Sequence, residues 1–160
     1  MNKKINLGIT INFDRNFFSN GLQQNVIFLN NLINQIENCY CFYLWEGSQI
    51  DEKIVDKKFC IPYKNILQDN TIDFDLIIMM GFTFGDDVVL RIKEKKKNTK
   101  FVLMQCGNQF VENMNFALFE TASDYTPLAR IENIDQIWIL PHYEKNISYM
   151  KTYFKNEKVF

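Results

Sequence analysis

Three features of this sequence predict an α/β fold of Rossmann-like form, with three layers and a mostly parallel sheet. Short apolar runs rich in β-branched residues alternate with longer stretches whose apolar residues recur at helical spacing. The runs alternate only weakly between apolar and polar residues, as expected for strands buried on both faces of a parallel sheet. Glycine or asparagine stands between several strand-like runs and the helix that follows, at residues 20 and 21, 81, and 107 and 108.

Residues 5–11 (INLGITI) predict the first strand, and the polar and aromatic residues 12–19 a loop. A helix then follows, because Leu22, Val26, Leu29, Ile33 and Ile36 form one apolar stripe, with Asn20 placed to cap it and Gln23 three residues on. Residues 40–45 and 58–61 read as strands, the second of them short, and residues 75–80 as a central strand ending at Gly81. Residues 82–85 lead into a helix that begins at Asp86 and Asp87 and ends among Lys93, Lys95, Lys96 and Lys97. That acidic start and basic finish complement the helix dipole, and the lysine run is most simply a solvated helix end. A buried strand at 101–106 closes at Gly107 and Asn108, a helix carrying Val111, Met114 and Leu118 comes next, and residues 136–140 make a further strand. Pro141, His142 and Tyr143 turn the chain, and Ile147, Met150 and Phe154 line the inner face of a final helix. Lys158, Val159 and Phe160 read as the start of another strand, so the expectation is one domain over residues 1–160 that forms half of a longer architecture.

A chain of 160 residues, 47% hydrophobic and 15% aromatic, has ample material for one core. Eighteen basic against nineteen acidic side chains leave no overall field of the kind nucleic-acid binders use, so nucleic acid is disfavoured as a partner. No apolar run approaches the roughly 18 to 20 residues that span a bilayer, and the start of the chain does not read as a secretion signal; the expectation is a cytoplasmic protein without a transmembrane segment. Cys39, Cys41, Cys60 and Cys106 all lie in or beside apolar strand-like runs, where a thiol behaves as a small hydrophobe. With one histidine and no second cysteine pair at zinc-ligand spacing, no metal site is expected.

In an open parallel sheet, ligands bind beyond the carboxyl ends of the strands. Four corners of this chain should meet there, at residues 12–21, 81–85, 107–109 and 141–144. Asn12, Arg15, Asn20, Gly21, Gln24, Gly81, Gly107 and Asn108 are the candidate substrate-binding residues, since glycine lets a backbone approach a ligand and amide or guanidinium groups hydrogen-bond it. Neither Gly-x-Gly-x-x-Gly nor a P-loop occurs, so Asn20 and Gly21 read equally as a plain helix start. His142 and Glu144, at the last corner, are the candidate acid/base groups, with Glu112 as another carboxylate; His142 also reads as a hydrogen-bonded structural residue, and each glutamate as a solvated helix-start residue. No nucleophile elbow or Ser/His/Asp set can be assembled. Phe13, Phe17 and Phe18, beside Asp14 and Arg15, suit either stacking on sugar rings or folding back on the core.

The stretches GITINFDRNFFSNGLQQNVIFLNNLI, IIMMG, VLMQCGNQFVENMNFALFE and IDQIWILPHYEKNISYM together resemble a family of bacterial and viral proteins catalogued as a domain of unknown function and regarded as glycosyltransferases of the two-Rossmann-domain, GT-B type. SNGLQQNVIFLNNL also resembles the helix start that opens the N-terminal domain of many such enzymes. The resemblance implies that this chain is the acceptor-side half of a hexosyltransferase. A nucleotide sugar would be the donor, held through a C-terminal domain, and the acceptor would be a hydroxyl of a glycan or lipid-linked substrate. It implies no metal and no permanently bound cofactor. Asn20 and Gly21 would lie near the donor phosphates, and Gly107, Asn108 and His142 would line the cleft. A different class remains open, a non-catalytic Rossmann-like module that binds carbohydrate or protein; a small nucleotide-binding enzyme is a third reading, without the acidic cluster of a receiver domain.

Overall fold

A computed structural model of the protein describes residues 3–13, 21–47, 50, 52–68, 71–106 and 132–160. The expected helix around Val111, Met114 and Leu118 lies outside the described residues, as do Asp14, Arg15, Phe17, Phe18, Asn20, Gly107, Asn108 and Glu112. The described strands are β1 (Ile5–Asn12), β2 (Cys39–Glu46), β3 (Cys60–Pro62), β4 (Leu76–Met79), β5 (Lys100–Gln105) and β6 (Gln136–Ile139). The described helices are α1 (Gly21–Ile33), α2 (Asp86–Lys95) and α3 (Ile147–Phe154), the last entered through a 3-10 turn, Pro141–Asn146.

All six strands run parallel in one sheet, in the order β3-β2-β1-β4-β5-β6. That is the arrangement of a doubly wound, Rossmann-like sheet. Side chains alternate between its faces and so divide the core in two. On one face Leu7, Ile9 and Ile11 of β1, Cys41 and Tyr43 of β2, and Ile78 and Met80 at β4 pack with Val26 and Ile33 of α1. On the other, Leu44, Ile77, Met79, Phe101, Leu103 and Ile137 pack with Val89 and Ile92 of α2 and Met150 and Phe154 of α3. The apolar stripes read from the sequence of α1 and α3 therefore meet opposite faces of one sheet, and α2 packs on the same face as α3. The expected extra strand is present as a parallel bridge between Val159 and Ile137, reinforced by bonds from the Ile139 amide to the Phe160 carbonyl and from the Phe160 amide to the Ile137 carbonyl.

Polar side chains fasten the amino ends of the strands. The Asp75 carboxylate accepts the Asn6 amide at 3.0 Å, and the Asp135 carboxylate accepts the Phe101 amide at 2.9 Å. The Thr99 hydroxyl donates to the Phe74 carbonyl at 2.8 Å. Asn30 and Asn34, from the last turn of α1 and just past it, both donate to the Cys41 carbonyl, and Asn34 accepts the Cys41 amide. Asn34 thus turns the chain toward β2, with Asn38 in the left-handed region at φ 64°. The helix stops at Ile33 for that reason, and Ile36, expected on the inner stripe, is 55% exposed.

The lysine run at the end of α2 is only partly the solvated end that its composition suggests. The Lys96 side chain is 9% exposed, donating to the Thr71 and Ile72 carbonyls and pairing with Asp73, and Lys93 pairs with Asp135 at 2.8 Å. Both staple the helix to chain that precedes a strand, Lys96 to β4 and Lys93 to β6.

Candidate ligand site at the carboxyl rim

Because every strand is parallel, all six carboxyl ends lie along one rim of the sheet. Between neighbours β1 and β4 the winding reverses: α1, after β1, packs on one face and α2, after β4, on the other. Loops leaving two adjacent strands in opposite directions open a crevice between them, and this is where ligands bind in such sheets. Thr10 holds that point together. Its hydroxyl donates to the Phe82 carbonyl at 2.6 Å and accepts the amides of Met80 at 2.9 Å and Phe82 at 3.2 Å.

The described candidates fall into three groups. Asn12 and Gly21 stand beside the crevice, Asn12 at the end of β1 and Gly21 as the first residue of α1; Gln24 follows in the same first turn, half-buried. A methyl added to Gly21 would meet nothing within 4 Å, so no close packing within the chain requires glycine there. Gly81 is also at the crevice, with a different task. Its amide donates to the Thr10 carbonyl at 3.0 Å, and a Cβ would lie 2.5 Å from that carbonyl and 2.8 Å from the Ile11 Cα, so its glycine lets two backbones touch. His142 and Glu144 are exposed on the turn after β6, with the His142 ring 4.0 Å from that of Tyr143. They share the rim, but β6 lies two strands from β4, roughly 10 Å at ordinary strand spacing.

The two helix starts at the crevice differ in charge. Asp86 and Asp87 occupy the first turn of α2, and the Asp86 carboxylate accepts both the amide and the side chain of Asn133. An anion would meet those carboxylates. The first turn of α1 has no acidic side chain, so the helix dipole there favours a bound anion. Gln23 is fully buried in that turn, and its Oε1 accepts the Asn12 amide at 3.3 Å; the capping expected with Asn20 lies outside the described residues.

Sequence reasoning overlooked the polar groups that distinguish this rim. Among the described residues, the buried side-chain nitrogen and oxygen atoms without a hydrogen-bond partner are Gln23 Nε2, Trp45 Nε1, and both Nε2 and Oε1 of Gln105. All belong to the carboxyl rim. Trp45 is the penultimate residue of β2, paired with Ile11; Gln105 is the last of β5; Gln23 sits over the end of β1. Each such group costs about 1–3 kcal/mol when left unpaired. The amino ends, by contrast, are held by the satisfied Asp75, Thr99 and Asp135 contacts. A glutamine ending an apolar run was the available signal for Gln105, and it is a weak one.

Burial keeps three of the four thiols protonated. Burial pushes Cys41 up to about 12 despite an Asn30 hydrogen bond, and Cys60 up to about 11, while burial also raises Cys106. At neutral pH these remain protonated and apolar in character.

A family model described as "Protein of unknown function (DUF2827)" matches residues 7–159. No curated protein and no solved structure matches the chain.

Proposed function

The chain belongs to the family described as "Protein of unknown function (DUF2827)", and we propose that it is the acceptor-side half of a glycosyltransferase. In this reading a sugar passes from a nucleoside diphosphate sugar to a hydroxyl of a glycan or lipid-linked acceptor. The observation that carries it is the concentration of unpaired, buried hydrogen-bonding groups along one rim, on both sides of the point where the winding reverses. A hydroxyl-rich ligand supplies the donors and acceptors such groups lack.

The chemistry needs two things of the protein. The acceptor oxygen forms the new bond to the anomeric carbon while the bond from that carbon to the diphosphate breaks, and the acceptor proton passes to a base. The start of α1, free of acidic side chains in its first turn, suits the departing diphosphate. His142 and Glu144, on the turn after β6, are the groups proposed to take the proton. The sequence resemblance to GT-B enzymes supports the same division, with the donor nucleotide held chiefly by a second domain.

The test uses the full-length protein and measures nucleotide release from UDP- and GDP-sugars in the presence of glycan acceptors. Turnover is expected, and Gly21→Val abolishes most of it while leaving the melting temperature close to wild type, because the position has open space. Absence of turnover with every donor, or a Gly21→Val protein that is fully active, overturns the reading. One observation favours a rival, a carbohydrate-binding module without chemistry: both proton-transfer candidates are exposed and stand away from the crevice. Saturable glycan binding without turnover would establish that alternative.

A further inference from the structure

We infer that Gln105 is a specificity-determining contact that grips two neighbouring hydroxyls of a sugar ring. The inference rests on the sugar-binding reading above and names the part of the ligand that is recognised. Gln105 ends β5 on the same face as Phe101 and Leu103, two residues beyond the pairing of Leu103 with Met79 and directly opposite Ile139 of β6. It therefore stands between the corner that begins at Gly81 and the corner that carries His142. The residue is 1% exposed, and among the described residues neither its Nε2 nor its Oε1 has a hydrogen-bond partner. A planar carboxamide presents one donor and one acceptor side by side, which matches a vicinal diol in which one hydroxyl donates and its neighbour accepts. A core position with no such duty would carry leucine or methionine, since an apolar side chain of similar shape removes both unpaired atoms. Because the carboxamide is closed to solvent, a ligand reaching it displaces whatever packs over it.

The experiment titrates wild type and Gln105→Leu with the methyl glycosides of glucose, galactose and mannose and with their 2-, 3- and 4-deoxy forms. Binding is followed by NMR, and melting temperature is recorded for both proteins. The expected result is that Gln105→Leu melts at or above the wild-type temperature yet binds the preferred glycoside about tenfold more weakly or worse, and that removing one of two adjacent hydroxyls weakens wild type by a similar factor without further weakening the variant. A variant that binds as well as wild type overturns the inference, as does one that melts distinctly lower, because the carboxamide is then paired within the fold. Failure of wild type to bind any of the three glycosides also overturns it. Donor turnover in the full-length protein is read separately, so sugar transfer can stand when the Gln105 contact does not.

Discussion

Thr10 carries more hydrogen bonds than its small side chain suggests, three of them to the chain that leaves β4. Replacing it with the nearly isosteric valine keeps the shape and strands two amides and a carbonyl in a part-buried turn. Thr10→Val is therefore expected to lose about 2–3 kcal/mol, read from the urea midpoint, and a variant of wild-type stability would mean the turn supports itself. At this scale the sequence was legible where a residue type has one dominant use and misleading where it has several. Gly21 and Gly81 look alike as letters beside a helix or a strand, yet one faces open space and the other lets β1 and β4 touch. Thr10 gave no warning and Gln105 only a weak one, because a polar residue within an apolar run acquires meaning only when the atoms around it are known.

The strands are fastened at their amino ends by a repeated device. Asp75 and Asp135 each precede a strand and accept the backbone amide of a residue on the neighbouring one, with a lysine beside the same carboxylate. The Lys3 hydrogen bond, with the Asn6 amide, lowers the Asp75 pKa; burial pushes Asp135 up, and Lys93, the Phe101 amide and Lys100 together outweigh it, so it too is lowered. A carboxylate held below its unfolded value contributes stability that is complete above that value, about pH 4, and disappears as the pH falls through the lower folded value. Asp135→Asn is expected to cost about 1–2 kcal/mol at pH 7 and to flatten the fall of melting temperature between pH 5 and pH 2. An unchanged acid limb would contradict the role given to Asp135. Element order was readable from the alternation of apolar runs with helical stripes, since both periods are local. The pairing of Lys96 with Asp73, and of Lys93 with Asp135, was not readable, because those partners lie 23 and 42 residues away along the chain.

At the scale of the molecule, and among the described residues, the sheet separates two kinds of edge, an amino edge whose strand-end contacts are paired within the chain and a carboxyl edge where Gln23 Nε2, Trp45 Nε1 and the Gln105 carboxamide have no partner. The strand order, with β1 and β4 side by side at the centre, places the crevice, and no local pattern in the sequence encodes that order. Phe28 and Leu32, 66% and 60% exposed on the outer side of α1, offer a competing surface for a protein partner. Backbone NMR of the protein titrated with UDP-sugars and methyl glycosides decides between these surfaces most directly. Shifts are expected at Asn12, Gly21, Phe82 and Gln105, with Asp75, Thr99 and Asp135 unmoved. Shifts gathered at the amino edge or along Phe28 and Leu32, with the carboxyl rim silent, would contradict the assignment of that rim as the ligand site.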